Sequence, residues 1–317
     1  MADICLWNRC NNNCIMCTNP IGFQNSQDAK EYTYEKIIER VKRFKKRLRI
    51  TKENINLTGG EPTIHPYFLE LLKWFRNNFP QNRIVIATNG RRFCYPSFAK
   101  ETLKINNVTW EVSFHGWNKK SYGAITLTPN GFGQTVKGIY NILKYRNDSQ
   151  EIELRIVIIK QNYQSLDKIL NFIYKHFPGV DRIVLMFEEI EGNCEKNFKF
   201  VGITYNEVKN ILEKNVKKWA GKFKELRLYH FPLCVLDHSL WKYVWRTLSP
   251  NEVSFLPICQ QCLYKKYCLG IHKGYLKMVG GNEFQPIKKK MNIKLDEKNY
   301  FHPILDAFEI KKREPCT

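Results

Sequence analysis

The sequence predicts an α/β fold, a partial (β/α)6 TIM-like barrel followed by a C-terminal cysteine-rich extension. Short apolar runs alternate with amphipathic stretches six times in the first 220 residues, a pattern typical of parallel strands covered by helices. Six such units suit a partial barrel better than a closed eightfold one. After residue 220 the alternation gives way to closely spaced cysteines, so we predict two domains, residues 1–220 and residues 221–317.

Each predicted strand is a short run rich in apolar and β-branched residues. In chain order the predicted strands are residues 3–7, 54–57, 83–88, 110–114, 153–160 and 181–187, and residues 225–230 look like one more. The predicted helices keep an apolar period near 3.6 and are residues 34–48, 67–79, 131–146, 164–176 and 205–219. Chemistry in such barrels lies where strands end and loops begin. Motifs that follow strands are therefore the candidate site.

The composition indicates a cytoplasmic chain that attracts acidic partners. The 51 Lys and Arg residues exceed the 30 Asp and Glu residues, a formal charge of +21, which favours anionic ligands. The basic run at residues 42–49 lies on a predicted amphipathic helix, where a solvated face is a better interpretation than a nucleic-acid groove. There is no signal-peptide pattern at the start and no apolar run long enough for a membrane span. Eleven cysteines in a reducing compartment favour metal binding or catalysis over disulfides.

Three cysteines, Cys10, Cys14 and Cys17, follow the first predicted strand at the spacing CxxxCxxC. A [4Fe–4S] cluster takes four thiolates. Three thiolates on one short loop would leave one iron open to a chelating ligand. The alternative is a structural zinc loop, although such sites usually have four protein ligands.

CxxxCxxC after the first strand, with GGEP at residues 59–62 after the second, resembles the radical S-adenosylmethionine (SAM) superfamily. The resemblance implies that the three cysteines hold a SAM-binding four-iron cluster. It also implies the following contacts: Met16 beside the adenine, Gly59, Gly60 and Glu61 at the SAM amino group, Ser113 at the ribose and Arg155 at the SAM carboxylate. For Arg155 a structural ion pair is an equal alternative.

The resemblance implies a radical enzyme. An electron from a donor such as flavodoxin or ferredoxin would enter the cluster, SAM would be cleaved, and a 5′-deoxyadenosyl radical would take a hydrogen atom from the substrate. The protein would supply position and a dry site while the cofactor supplies the difficult step. An electron carrier or zinc-stabilised binding module is the non-enzymatic alternative, and GGEP argues against it.

A second group of cysteines, Cys234, Cys259, Cys262 and Cys268, includes the spacing C-x2-C-x5-C. Four thiolates are enough to saturate either a four-iron cluster or a zinc ion. The spacing resembles the SPASM/twitch-like extensions of peptide-modifying radical SAM enzymes, which favours an auxiliary cluster. His230 and His238 flank Cys234 and could replace it as a ligand, although a satisfied or surface histidine is the simpler interpretation.

Residues 185–192, 232–241 and 256–270 resemble maturases of His-Xaa-Ser peptide systems and related spliceases. The resemblance implies modification of a ribosomally made precursor peptide by crosslinking, epimerisation or excision of a tyrosine-derived unit. Because the first cluster cysteine is residue 10, we expect a separate leader-recognition protein as a partner. Modification of RNA is the alternative, although the sequence has no RNA-binding signature. One departure is Phe187, where a glycine is expected, and it leaves the substrate cavity at strand six open to question.

Overall fold

Eight strands form one parallel sheet in chain order in the computed structural model, which describes residues 2–19 and 26–313. The strands are β1 (Ala2–Trp7), β2 (Ile55–Gly59), β3 (Ile84–Thr88), β4 (Val108–Ser113), β5 (Glu151–Ile158), β6 (Arg182–Phe187), β7 (Leu226–Tyr229) and β8 (Val244–Trp245). Every neighbouring pair is parallel. The predicted class, an α/β barrel that stays open, is therefore confirmed.

Helices connect the strands and cover one face of the sheet. They are α1 (Tyr34–Lys42), α2 (Lys45–Thr51), α3 (Phe68–Asn78), α4 (Pro96–Thr102), α5 (Lys119–Thr126), α6 (Gly131–Tyr145), α7 (Leu166–His176), α8 (Gly192–Lys196), α9 (Phe198–Val201), α10 (Tyr205–Trp219), α11 (Lys273–Met278) and α12 (Ala307–Arg313). Two small antiparallel pairs, β9 (Val253–Ser254) with β10 (Ile271–His272) and β11 (Lys294–Leu295) with β12 (Ile304–Leu305), lie in the cysteine-rich part. Within residues 2–19 and 26–313, none of the helices has the length and apolarity that crossing a membrane needs.

Within the barrel, the structure departs from the predicted elements at several positions. The single helix predicted at residues 34–48 is two helices, because Phe44 takes a non-helical conformation (φ −121°, ψ 14°) between α1 and α2. The short helices α4 and α5 were not predicted, since seven or eight residues show little helical period. Strand β8 has only two residues, too few for an alternating pattern.

The sheet continues past the predicted domain boundary at residue 220. Strand β7 pairs with β6, and β8 pairs with β7, so the barrel contains eight strands rather than the six units predicted within residues 1–220. The cysteine-rich segment follows β7. The division into residues 1–220 and 221–317 stays a prediction.

The two faces of the sheet differ in character. Side chains such as Leu154 on β5 and Val112 on β4 are fully buried beneath the helices and form the core. The residues that alternate with them along the same strands include Glu111 and Glu153, which are register partners. Arg155 pairs with both of these carboxylates. The core therefore lies between sheet and helices, and the inside of the barrel is polar.

Candidate active site

The loop that carries the first three cysteines is held by elements from two other parts of the barrel. The backbone N–H groups of Asn13 and Ile15 donate to carbonyls at the C-terminal end of α5, each at 3.0 Å. On the other side Asn193 in α8 donates its backbone N–H to the Cys17 carbonyl at 2.8 Å. The loop is thus positioned before any cofactor binds.

The residues after β3 complete the support of this loop. The Asn89 side-chain amide donates to Asn11 Oδ1 at 2.6 Å and approaches Cys10 Sγ at 3.9 Å. Arg91 Nη1 donates to Asn12 Oδ1 at 2.8 Å. Sequence reasoning placed residues 88–90 at the mouth of the barrel but did not identify these contacts. They depend on side chains almost eighty residues apart in the chain.

Three partly buried cysteines meet in this loop. Burial and, behind it, the charge of Glu61 raise the pKa of Cys10 to about 12, and burial raises the pKa of Cys14 further. Such thiols stay protonated unless a bound metal compensates their negative charge. The backbone N–H of Asn12 donates to Cys10 Sγ at 3.3 Å, and hydrogen bonds of this kind are usual for cluster sulfurs. The loop therefore fits an iron–sulfur group.

A zinc ion is the alternative to a cluster at both cysteine groups. In the described residues no three His, Cys, Asp or Glu side chains are arranged to hold one metal ion. Thiolates on one zinc stand about 4 Å apart, because each Zn–S bond is about 2.3 Å. A four-iron cluster is a larger body and needs a wider arrangement.

The GGEP segment packs tightly on the loop that leads into Cys10. Gly59 has φ +135°, and a Cβ there would lie 2.2 Å from the Trp7 carbonyl oxygen. The backbone N–H of Gly60 donates to the same carbonyl at 2.7 Å, and the N–H of Glu61 donates to the Arg9 carbonyl at 2.8 Å. Both glycines are therefore needed for the close approach of two loops of the chain itself. Their contact with a SAM amino group stays a prediction.

The Glu61 carboxylate is a buried hub, only 1% exposed. It accepts hydrogen bonds from the Thr63 backbone at 3.0 Å, the Thr88 hydroxyl at 2.7 Å and the Asn89 backbone at 2.6 Å, and also from the Thr63 hydroxyl. Burial raises the pKa of this carboxyl, and the hydrogen bonds oppose that effect. Glu61 thus ties the loop after β2 to the loop after β3. Its predicted pairing with the SAM ammonium would be an additional role.

We expect Glu61→Gln to lower both stability and SAM affinity without loss of iron. The new amide NH2 must face N–H or O–H donors in place of one carboxylate oxygen, and a hydrogen bond to a charged group contributes about 1.5–3 kcal/mol. Thermal unfolding, SAM equilibrium dialysis and iron content measure the three quantities. The exposed Glu101, which pairs with Lys104 on the surface, supplies the matched control Glu101→Gln. Unchanged stability and SAM affinity would contradict the assignment of Glu61 as a hub.

The other predicted SAM contacts lie on β4 and β5 or in the core. Ser113 is the register partner of Arg155, so the two stand side by side, Ser113 at the carboxyl end of β4 and Arg155 within β5. The Arg155 guanidinium pairs with Glu153 at 2.6 Å and with Glu111, and it lies 5.6 Å from the centre of the Tyr229 ring. The structural ion pair, left open by the sequence, is thus present. Contacts of Ser113, Arg155 and the buried Met16 with SAM stay predictions.

The four cysteines of the second group line one pocket that is partly open to solvent. Backbone N–H groups of Leu233 and Gly270 donate to Cys268 Sγ, both at 3.5 Å, and that of Ile287 donates to Cys262 Sγ at 3.4 Å. Burial and the neighbouring Cys268 raise the pKa of Cys234 to about 12. Four thiols around one pocket, with backbone N–H donors at two of the sulfurs, fit an auxiliary cluster.

Neither neighbouring histidine replaces Cys234 in the described structure. His230 Nδ1 lies 3.1 Å from the Phe187 carbonyl oxygen and 3.3 Å from a Glu189 carboxylate oxygen. His238 is half-exposed and lies 3.7 Å from Asp237. The interpretation of a satisfied and a surface histidine is therefore the better one.

Phe187 does not fill the barrel. It is fully buried and stacks on Tyr205 of α10 with ring centroids 3.9 Å apart. Phe231 and Tyr275 pack around the same ring at 5.6 and 5.8 Å. The side chain lies on the helix-covered face of β6, so the unexpected residue at this position does not occupy the interior.

The β6 loop, residues 188–192, contacts both cysteine-bearing regions. A Cβ on Gly192 would lie 2.2 Å from the Asn19 carbonyl oxygen, two residues after Cys17. A Cβ on Gly274 would lie 2.2 Å from the Ile190 carbonyl oxygen, six residues after Cys268. The β6 loop therefore packs against the segments that follow both cysteine groups.

Comparison with known proteins agrees with this architecture. The family model described as the radical SAM superfamily matches residues 4–173, more than half of the chain. The crystal structure of Streptococcus suis SuiB bound to precursor peptide SuiA superposes with a TM-score of 0.54, at 15% identity, over 76% of this chain and 50% of that one. At this identity the likeness shows the fold alone.

Two relatives correct the predicted substrate. The GTP 3′,8-cyclase of Clostridium perfringens strain SM101 is 24% identical over 94% of this chain and 91% of its own length. That of C. perfringens strain 13 is 25% identical over the same shares. Proteins named for a reaction of GTP overturn the prediction of a precursor-peptide maturase or splicease, and with it the precursor peptide and leader-recognition partners. These relatives also overturn the alternative prediction of an RNA-modifying enzyme.

Proposed function

Because the chain belongs to the radical SAM superfamily, we propose that it is a GTP 3′,8-cyclase-like enzyme whose substrate is a guanosine triphosphate. The observation that carries the proposal is the match to the C. perfringens cyclases over more than nine-tenths of both chains. That match extends beyond the residues shared by the superfamily as a whole, 4–173.

Family membership agrees with the predicted cofactors, a SAM-binding [4Fe–4S] cluster, SAM and an auxiliary [4Fe–4S] cluster. Cys10, Cys14 and Cys17 would hold the first cluster, and the second cysteine group, Cys234, Cys259, Cys262 and Cys268, would hold the other. When bound, the first cluster and SAM supply the radical chemistry that removes a hydrogen atom from the substrate.

The chain's own residues attract and position an anionic nucleotide. Arg155 and Arg227 lie inside the barrel near Tyr229, and Arg227 stacks 3.8 Å from the centre of the Trp245 ring. Each guanidinium is oriented by a glutamate, Arg227 by Glu225 at 2.6 Å. The formal charge of +21 draws a triphosphate toward the chain by a long-range, salt-screened attraction. It would equally favour an acidic electron donor of the flavodoxin or ferredoxin type.

The test is an anaerobic reaction of the cluster-loaded protein with SAM, a reductant and GTP. We expect 5′-deoxyadenosine to form faster with GTP than without it, together with a GTP-derived product joined between C3′ and C8. CTP serves as the control nucleotide. Deoxyadenosine formation that ignores GTP, with GTP recovered unchanged, would refute the proposed substrate while leaving the family assignment intact.

A further inference from the structure

The pocket of the second cysteine group is built apart from the strands of the barrel. Its lining residues all lie between Pro232 and Ile287, and none belongs to the eight strands of the barrel sheet. Cys259 and Cys262 are only partly buried, and the pocket is partly open to solvent. A cluster held by these thiols would therefore lie near the surface of the protein.

Four thiols also limit what such a cluster can do. A four-iron cluster takes four thiolate ligands, so the four cysteines would leave no iron open to a substrate. A closed cluster can still exchange electrons, and hydrogen bonds to its sulfurs, as at Cys262 and Cys268, adjust its reduction potential. A position near the surface then favours electron exchange with another protein.

The rim of this pocket is basic. Residues 255–290 contain seven lysines and a single acidic residue, Glu283. Of these lysines only Lys266 and Lys277 pair with a carboxylate in the part of the chain that the structure describes. The three consecutive lysines at residues 288–290 are exposed. Uncompensated charge of one sign attracts a partner of the opposite sign.

The lysine run begins beside a cysteine of the pocket. Ile287 donates its backbone N–H to Cys262 Sγ at 3.4 Å, and its carbonyl accepts a hydrogen bond from the Leu263 N–H at 2.9 Å. Lys288 is the next residue in the chain. A partner that contacts these lysines would thus lie close to the group held by the cysteines, as electron transfer between two proteins requires.

An apolar patch lies beside the basic rim. Leu263 is 55% exposed and Phe255 is 38% exposed, although both are residue types that are usually buried. Phe255 and Lys265 both line the pocket, and Lys265 Nζ lies 5.5 Å from the centre of the Phe255 ring. An apolar centre with a polar, charged rim is the usual arrangement of a protein–protein interface.

We infer that one face of the protein, the docking face formed by Phe255, Leu263, Lys265 and residues 288–290, binds a small acidic electron-carrier protein of the flavodoxin type. The inference rests on the auxiliary cluster of the proposed function and does not depend on the nucleotide substrate. One electron would pass from the flavin hydroquinone, which becomes the semiquinone, to the oxidised cluster, which becomes singly reduced. No covalent bond forms or breaks in this step.

A titration of fluorescently labelled flavodoxin with the anaerobically cluster-loaded protein tests the docking face. A variant with Lys288→Glu, Lys289→Glu and Lys290→Glu should bind about 10–100-fold more weakly at low salt, because like charges would then face each other. The difference should shrink at physiological salt, since exposed charges are screened. Electron transfer from flavodoxin hydroquinone should slow by a similar factor, whereas reduction by dithionite, which needs no docking, should be unchanged.

Two further variants control for structure and for net charge. Arginine at residues 288–290 keeps the three charges and should retain binding. Lys73→Glu, Lys100→Glu and Lys137→Glu together change the net charge equally, but these exposed lysines lie on α3, α4 and α6. Binding should therefore weaken much less than in the variant of the docking face. Thermal unfolding and iron content of each variant show whether the fold and the clusters are kept.

Carbodiimide cross-linking followed by mass spectrometry locates the contact, because it joins carboxylates of the donor to lysines that touch them. Cross-links at Lys265 and at residues 288–290 would support the docking face. Cross-links at Lys119 and Lys120 of α5, the helix that packs on the first cysteine loop, would overturn it. Equal binding of flavodoxin by the charge-reversed and wild-type proteins would overturn it as well. Both of these results leave the proposed reaction of GTP untouched, whereas a second cysteine group without iron would remove the auxiliary cluster and this inference together.

Discussion

Replacing Cys10, Cys14 and Cys17 together by alanine is expected to abolish SAM cleavage and to leave about four of about eight irons per chain, since each four-iron cluster takes its own set of thiolates. The three thiols lie on one loop after β1, whereas the second cysteine group lines a separate pocket. Loss of the first group should therefore leave the second intact. Iron analysis of the anaerobically reconstituted protein and deoxyadenosine formation measure the two effects.

The control for this triple variant is Cys94→Ala. Cys94 is buried beside α4 and belongs to neither group, so iron content and SAM cleavage should be retained. A wild-type protein with about four irons and one zinc would show that the auxiliary group does not hold a cluster. A triple variant that still cleaves SAM would move the SAM-binding cluster away from residues 10–17.

Gly59→Ala is expected to cause the largest loss of stability of any single substitution considered for this chain. The added Cβ would lie 2.2 Å from the Trp7 carbonyl oxygen, at a backbone φ of +135°. Strain of this kind costs about 1–3 kcal/mol, and overpacking adds about 1–3 kcal/mol. The thermal unfolding midpoint of the cluster-loaded protein should fall by roughly 5–15 °C.

Gly133 provides a matched glycine. It lies inside α6, and a Cβ there meets no atom within 4 Å. Alanine at this helical position should raise the free energy of unfolding by about 0.5–1 kcal/mol. A Gly59→Ala protein as stable as the wild type would mean that the loop before Cys10 moves to accommodate the added methyl group at little cost in stability.

Local patterns predicted most of the barrel. The alternation of apolar residues along a strand and the apolar period of a helix are local patterns that a few neighbouring residues reveal. The first seven strands and the motifs at their carboxyl ends could therefore be placed from the sequence. The break between α1 and α2 was missed because Phe44 continues the apolar period while its backbone leaves the helical region. A chain of good helical pattern can still be interrupted by the packing around it.

The sequence predicted the cysteine ligands of the candidate site but not the residues that hold the surrounding loops in place. Cysteine spacing is visible in the sequence, yet the donors around Glu61 come from Thr63, Thr88 and Asn89, which only the fold brings together. The substrate class could not be read from short stretches around the second cysteine group, and the full-length relatives corrected it.

The β6 loop also limits how the chain can be divided. A fragment that ends at residue 220 would keep Cys10, Cys14 and Cys17 but would leave β6 as an unpaired edge strand, without β7. It would also uncover the Ile190 carbonyl, which Gly274 otherwise covers. Exposed edges of this kind promote aggregation. Because β6 pairs with β7 across residue 220, neither half is complete without the other. We therefore expect the two regions of the intact chain to unfold in a single cooperative transition.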